Sequence, residues 1–253
     1  MKPFLSIIGL TARTALNRRL LSLVVLLGGL VAALIILFAN MSLDQTARLV
    51  ADFGLAATII ITIIISIIIT ANLVLAEQER GTLLIMLPKP IARAEFLIAK
   101  YLGLLLCSMT VYVLLGIIVF GSSAFFVTLP WVDIILTAGA GALELTVLLA
   151  IATLAAAFTT PILATVLTLG FFVIGHLLSL ILYATTASGP VLRTLAKGFY
   201  YLLPNLEKFN LRELYVTAHS LSVSYYGWMI VYAVTYTVAA LIIASYLFKR
   251  REW

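Results

Sequence analysis

The charged residues of this chain fall in clusters, and the lengths of the uncharged stretches between them constrain the fold more than any motif does. Residues 20–43 and 53–76 are each 24 positions without Asp, Glu, Lys or Arg; residues 101–132, 145–192 and 214–248 add runs of 32, 48 and 35. An α-helix rising 1.5 Å per residue crosses a hydrocarbon core of about 30 Å in about 20 residues. The first two stretches therefore hold one span each, predicted at 20–39 and 55–76. The third holds a span at 96–120, followed by Gly121-Ser122-Ser123 and Pro130-Trp131 as turn signals. The run of 48 is too long for one helix. Thr159-Thr160-Pro161 divides it, because proline lacks a donor and disfavours helix at the residue before it. Spans at 134–158 and 161–183 result, and the last stretch supplies a sixth at 226–248.

Composition agrees. The chain has 253 residues, 64% hydrophobic and 10% charged, where soluble domains run at about 45–50% and about 25%. That balance excludes an ordinary soluble enzyme and, by its hydrophobicity, a disordered chain. The β-branched run Ile59–Ile69 would read as a strand in water; in lipid every backbone group must be paired within its own segment, which imposes helix. The fold class expected is an all-α integral membrane protein with six transmembrane helices. The net charge of +6 marks membrane-facing basic ends and implies lipid rather than nucleic acid as a partner.

Residues 1–19 precede the first span. Phe4, Ile7, Ile8, Ala12, Ala15 and Leu16 recur at helical spacing, with Arg13, Asn17 and Arg18 elsewhere. This reads as an amphipathic helix at the membrane interface, with a plain extension of span one as the alternative. No cleavage pattern for a signal peptide follows the first apolar run before Asn40. Basic residues set the orientation. Four lie at the N-terminus (Lys2, Arg13, Arg18, Arg19), four after span two (Arg80, Lys89, Arg93, Lys100) and three at the C-terminus (Lys249, Arg250, Arg251). Both termini of this multi-pass chain are thus expected in the cytoplasm. The segment 185–225 carries Arg193, Lys197, Lys208 and Arg212 yet falls outside by alternation. Its aromatic and apolar content predicts a structured or re-entrant external loop.

Two ionisable residues fall within spans. Glu144 lies among Leu143, Leu145 and Leu148, and a charge at mid-bilayer costs roughly 2.5–3.5 kcal/mol even on insertion scales. It is a candidate for a substrate path or gate; an interhelical hydrogen bond to a threonine-type hydroxyl on a neighbouring helix is the competing reading. His176 is the other candidate, against a satisfied interhelical donor. A proton relay needs partners, and none stands at helical spacing from it. The small residues Ala138–Ala142 suit close helix packing. Cys107, the one cysteine, excludes an internal disulfide and reads as a small buried residue.

The most informative stretch is 77–100, Glu-Gln-Glu-Arg-Gly-Thr-Leu-Leu-Ile-Met-Leu-Pro-Lys-Pro-Ile-Ala-Arg-Ala-Glu-Phe-Leu-Ile-Ala-Lys. A charged helix end is followed by Gly-Thr, a short apolar turn, two prolines and a new helix with Glu95 in its first turn, where a carboxylate suits the helix dipole. A short helix with apolar knobs between two spans suits docking into a partner's groove, and equally reads as a charged loop anchored to lipid.

With Glu77-x-Glu79-Arg80-Gly81-Thr82-Leu83, then Pro90-Ile-Ala-Arg93 and Lys100, the chain resembles the type-two class of ABC exporter permeases, and within it the broad group labelled as involved in multi-copper enzyme maturation. Glu144, Pro204-Asn205 and Phe209-Asn210 add weaker likeness. The resemblance implies a membrane subunit of a bacterial or archaeal plasma (inner) membrane, with an N-terminal interface helix and a cytoplasmic coupling helix within 77–100. Two copies of this chain, or one with a related permease, would pair above two ATP-binding subunits. Glu77, Glu79, Arg80, Gly81, Thr82, Pro90, Arg93 and Lys100 would face the ATPase with the apolar Leu83, Ile85, Met86 and Leu87; Arg93 and Lys100 suit lipid phosphates equally. ATP and Mg would be held by the partner, since this chain has no Gly-x-x-x-x-Gly-Lys-Ser/Thr loop. The expected role is non-catalytic: export of a lipid-like, amphipathic or peptide substrate.

Two other classes compete. A secondary transporter or channel would rely on Glu144 and His176, but the halves share no repeat of the kind such transporters carry. An intramembrane enzyme would need a catalytic signature, and no His-Glu-x-x-His or paired-aspartate motif is present.

Overall fold

The computed structural model describes residues 2–41, 46–79, 93–125, 128–129, 131–185, 190–212 and 223–250. The described chain is helical: α1 (Lys2–Ala15), α2 (Arg18–Met41), α3 (Thr46–Glu79), α4 (Arg93–Ser123), α5 (Trp131–Phe158), α6 (Pro161–Ala184), α7 (Pro190–Leu202), a 3-10 turn (Leu206–Phe209) and α8 (Val223–Arg250). Six helices among the described residues, α2 to α6 and α8, are long and apolar enough to cross a membrane. The protein is an all-α, multi-pass membrane protein.

Local chemistry sets the breaks. At Asn17 the chain leaves α1, and the Asn17 side chain accepts a hydrogen bond from the Leu20 amide at 2.7 Å, capping α2 as asparagine does at helix starts. This separates α1 from span one. Between α5 and α6, Thr160 is extended and Pro161 stands in the first turn of the next helix, where its missing N–H has no intrahelical acceptor to lose.

The helices run past the uncharged stretches. α3 starts at Thr46, nine residues before 55, because Arg48 and Asp52 sit one turn apart on a continuous helix. With 34 residues it is about 51 Å long, and α4 with 31 about 46 Å. Both exceed a hydrocarbon core of about 30 Å.

α5 is the most enclosed span, packed against α8, α3 and α6. Its Leu145, Leu148 and Leu149 form the main core with Ile59, Ile63 and Ile67 of α3 and with Met229 and Ala233 of α8. Of the glycines in the Ala138–Ala142 stretch, Gly141 makes the close approach: a Cβ there would meet Tyr112 Oη at 2.7 Å, while Gly139 has open space. α6 and α8 leave most of their span surface exposed, the apolar face a lipid environment requires. Cys107 is buried.

α1 lies against α4. A Cβ on Gly103 would come within 2.7 Å of Thr11 Cβ and 2.8 Å of the Ile8 carbonyl oxygen. Glycine is what lets these two backbones meet.

Candidate functional site

The stretch after α7 turns back onto the bundle. Pro204 ends the helix and Asn205 caps the 3-10 turn, its side chain accepting from the Glu207 amide at 3.1 Å. Leu206 and Phe209 are buried beneath. Leu206 seats against Gly175 of α6, where a Cβ would lie 2.7 Å from the leucine. The Asn205 amide donates to Tyr232 Oη at 2.7 Å, and Asn205 Nδ2 donates to Ser179 Oγ at 3.1 Å. Tyr236 Oη donates to the Leu203 carbonyl at 3.3 Å, and the Lys208 ammonium stands 4.4 Å from the Tyr232 ring centre. Residues 203–212 thus form a cap fastened to both α6 and α8.

That attachment places Glu207 beside His176. The imidazole bridges two carboxylates, with Nε2 2.9 Å from Glu144 Oε1 and Nδ1 3.1 Å from Glu207 Oε2. One ring therefore joins α5, α6 and the cap. The chain of contacts continues outward: Asn210 Nδ2 donates to Glu207 Oε1 at 2.9 Å, and Arg212 Nε donates to Asn210 Oδ1 at 2.9 Å. Phe172 meets the imidazole edge-on at 4.9 Å.

Ionised carboxylates only accept hydrogen bonds, and neutral imidazole donates from one nitrogen. Two hydrogen bonds across Glu144–His176–Glu207 therefore require two protons shared by three groups. Either the ring is an imidazolium between two carboxylates, or it is neutral with one carboxyl protonated. The sum is one net negative charge in both cases. Exposure of the side chains grades from 5% at Glu144 through 22% at His176 to 33% at Glu207.

A cavity of about 480 Å³ opens on this bridge, within the size range of small-molecule sites, about 300–1,000 Å³. Leu55, Ile59 and Ile60 form an aliphatic wall; Tyr112, Phe172 and Phe209 contribute rings; Glu144, His176, Glu207 and Arg212 supply the charge. Among the described residues, no group of three His, Cys, Asp and Glu is placed to hold a metal ion. The bridge shows why: opposite edges of one ring face the two carboxylates, so the donors do not converge.

Of the candidate residues, Glu144 and His176 come together. Glu144 makes an interhelical contact, and its partner is the imidazole on α6 at 2.9 Å rather than a hydroxyl. Glu207, the third member of the bridge, carries no signal of its own in the sequence beyond its place between Pro204-Asn205 and Phe209-Asn210. Glu77 and Glu79 lie in the last turn of α3, and Arg93 opens α4. Arg80, Gly81, Thr82, Leu83, Met86 and Pro90 lie outside the described residues, as do the other positions 80–92. Lys100 is 4% exposed, with its ammonium 5.6 Å from the Phe96 ring centre.

Comparison with known proteins adds one match: the sequence model of the ABC-2 family transporter proteins fits residues 14–253. No curated protein matches the chain.

Proposed function

Since the chain belongs to the ABC-2 family of transporter proteins, whose members are permease components of ABC transporters, we propose that it is the exporting half of an ATP-driven pump. The membrane component partners with an ATP-binding subunit, and the observation carrying this reading is a family match that spans the whole bundle, cavity and 80–92 included. In our reading, two copies pair above two ATPases that hold ATP and Mg. The ATPases close on ATP, and the segment between Glu79 and Arg93 transmits the movement. In this reading the excess of Lys and Arg on the side of that segment marks the cytoplasm, and the cargo is carried away from it. The cargo is amphipathic, since the cavity joins an aliphatic wall to a charged end.

Purification of the tagged chain from its native membrane is expected to retain an ATP-binding protein with vanadate-sensitive hydrolysis. Arg80→Glu and Gly81→Pro are expected to leave the complex assembled while transport per ATP hydrolysed falls at least tenfold. Transport by the chain alone, or full coupling in both variants, overturns the proposal.

A further inference from the structure

We propose that the cavity at Glu144, His176 and Glu207 seats an organic cation, an onium group carrying hydrocarbon. The inference rests on the permease reading and narrows its cargo.

The argument starts from the charge left at the bridge. Glu144, His176 and Glu207 share one net negative charge however their two protons are placed, and all three line the cavity. A monovalent cation entering an apolar cavity loses hydration, and that loss is tolerated when a counter-charge and polarisable groups replace the water. Glu207, at 33% exposure, is the accessible carboxylate, and Glu144, at 5%, the enclosed one. Three aromatic rings line the same space. Aromatic rings with carboxylates are the usual surroundings of ammonium groups, because the ring face attracts the cation. The aliphatic wall from Leu55, Ile59 and Ile60 suits the hydrocarbon part.

An inorganic cation fits worse, because the donors diverge around one imidazole and, Thr137 and Asn210 apart, most of the remaining wall offers carbon. An anion fits worse as well. Arg212, the single guanidinium lining the cavity among the described residues, offsets the one net negative charge of the bridge without exceeding it; its Nε already donates to Asn210, and it also acts on Asp52 outside the lining.

The test uses the full chain in lipid nanodiscs with two probes of one shape and opposite charge, tetraphenylphosphonium and tetraphenylborate, with empty nanodiscs as background. Saturable phosphonium binding, displaced by dodecyltrimethylammonium and weakened at least tenfold in Glu207→Gln and Glu144→Gln, is expected. Should the enclosed Glu144 variant not fold, the Glu207 variant carries the test. The proposal is overturned if neither ion binds saturably, if the Glu207→Gln variant binds phosphonium as the wild type does, or if borate binds saturably and loses its site in Arg212→Gln. Binding needs no ATPase. A chain that copurifies with an ATPase yet binds no cation refutes the site alone; one that binds cation with no ATPase partner refutes the pump alone.

Discussion

Gly175 and Leu206 are in contact: a methyl group added to the glycine would sit 2.7 Å from the leucine side chain and 3.0 Å from the Pro204 carbonyl oxygen. The cap reaches His176 because residue 175, its neighbour in sequence, has no side chain. Gly175→Val is expected to lift the cap from α6 and lower stability by about 1–3 kcal/mol, the usual cost of overpacking. Chemical denaturation in detergent measures the loss, and Gly170→Val, at a glycine with open space, is the control that should change little.

His176→Ala removes the partner of an enclosed carboxylate. The buried group left unsatisfied costs about 1–3 kcal/mol. Replacing Glu144 with leucine in the same chain is expected to recover part of that loss, because removing both partners of a buried polar pair costs less than removing one. A double-mutant cycle by denaturation checks this; strict additivity would show that the 2.9 Å contact carries no coupling.

Tyr232→Phe deletes the hydroxyl that accepts from the Asn205 amide. The ring, its neighbour Phe209 and the Lys208 ammonium above it are kept. A loss of about 0.5–1.5 kcal/mol is expected, the net worth of one hydrogen bond, together with faster hydrogen exchange confined to residues 203–212.

Orientation can be read directly. Cys107 is 1% exposed, so a thiol reagent meets little background from it. Leu202 is 73% exposed at the end of α7. A Leu202→Cys variant in intact cells is expected to react with a membrane-impermeant maleimide. Reaction only after the cells are broken would reverse the assignment of both termini to the cytoplasm.

The span count was legible because charge avoids the hydrocarbon core at a known cost, so every long uncharged run had to hold a crossing. Helix ends were not: Arg48 and Asp52 extend α3 beyond its apolar part, since a helix continues wherever backbone and flanking residues permit. At the site, Glu144 and His176 stood out singly as ionisable groups in apolar runs. Their contact did not, because the residues are 32 apart in sequence and Glu207 is 31 from His176. No helical period connects three elements. What joins them is the seat of Leu206 on Gly175, a packing detail that leaves no pattern in sequence.

The crossing of α1 over α4 has a mechanical consequence. Gly103 lies ten residues into α4, and Thr11 and Ile8 close on it at backbone distance. Over that length α4 is a double beam, stiffer than one helix. A force applied where α4 begins at Arg93 would bend a single rod locally. Splinted by α1, the pair is expected to tilt as a unit and to carry the displacement farther along α4, where Tyr112 lines the cavity.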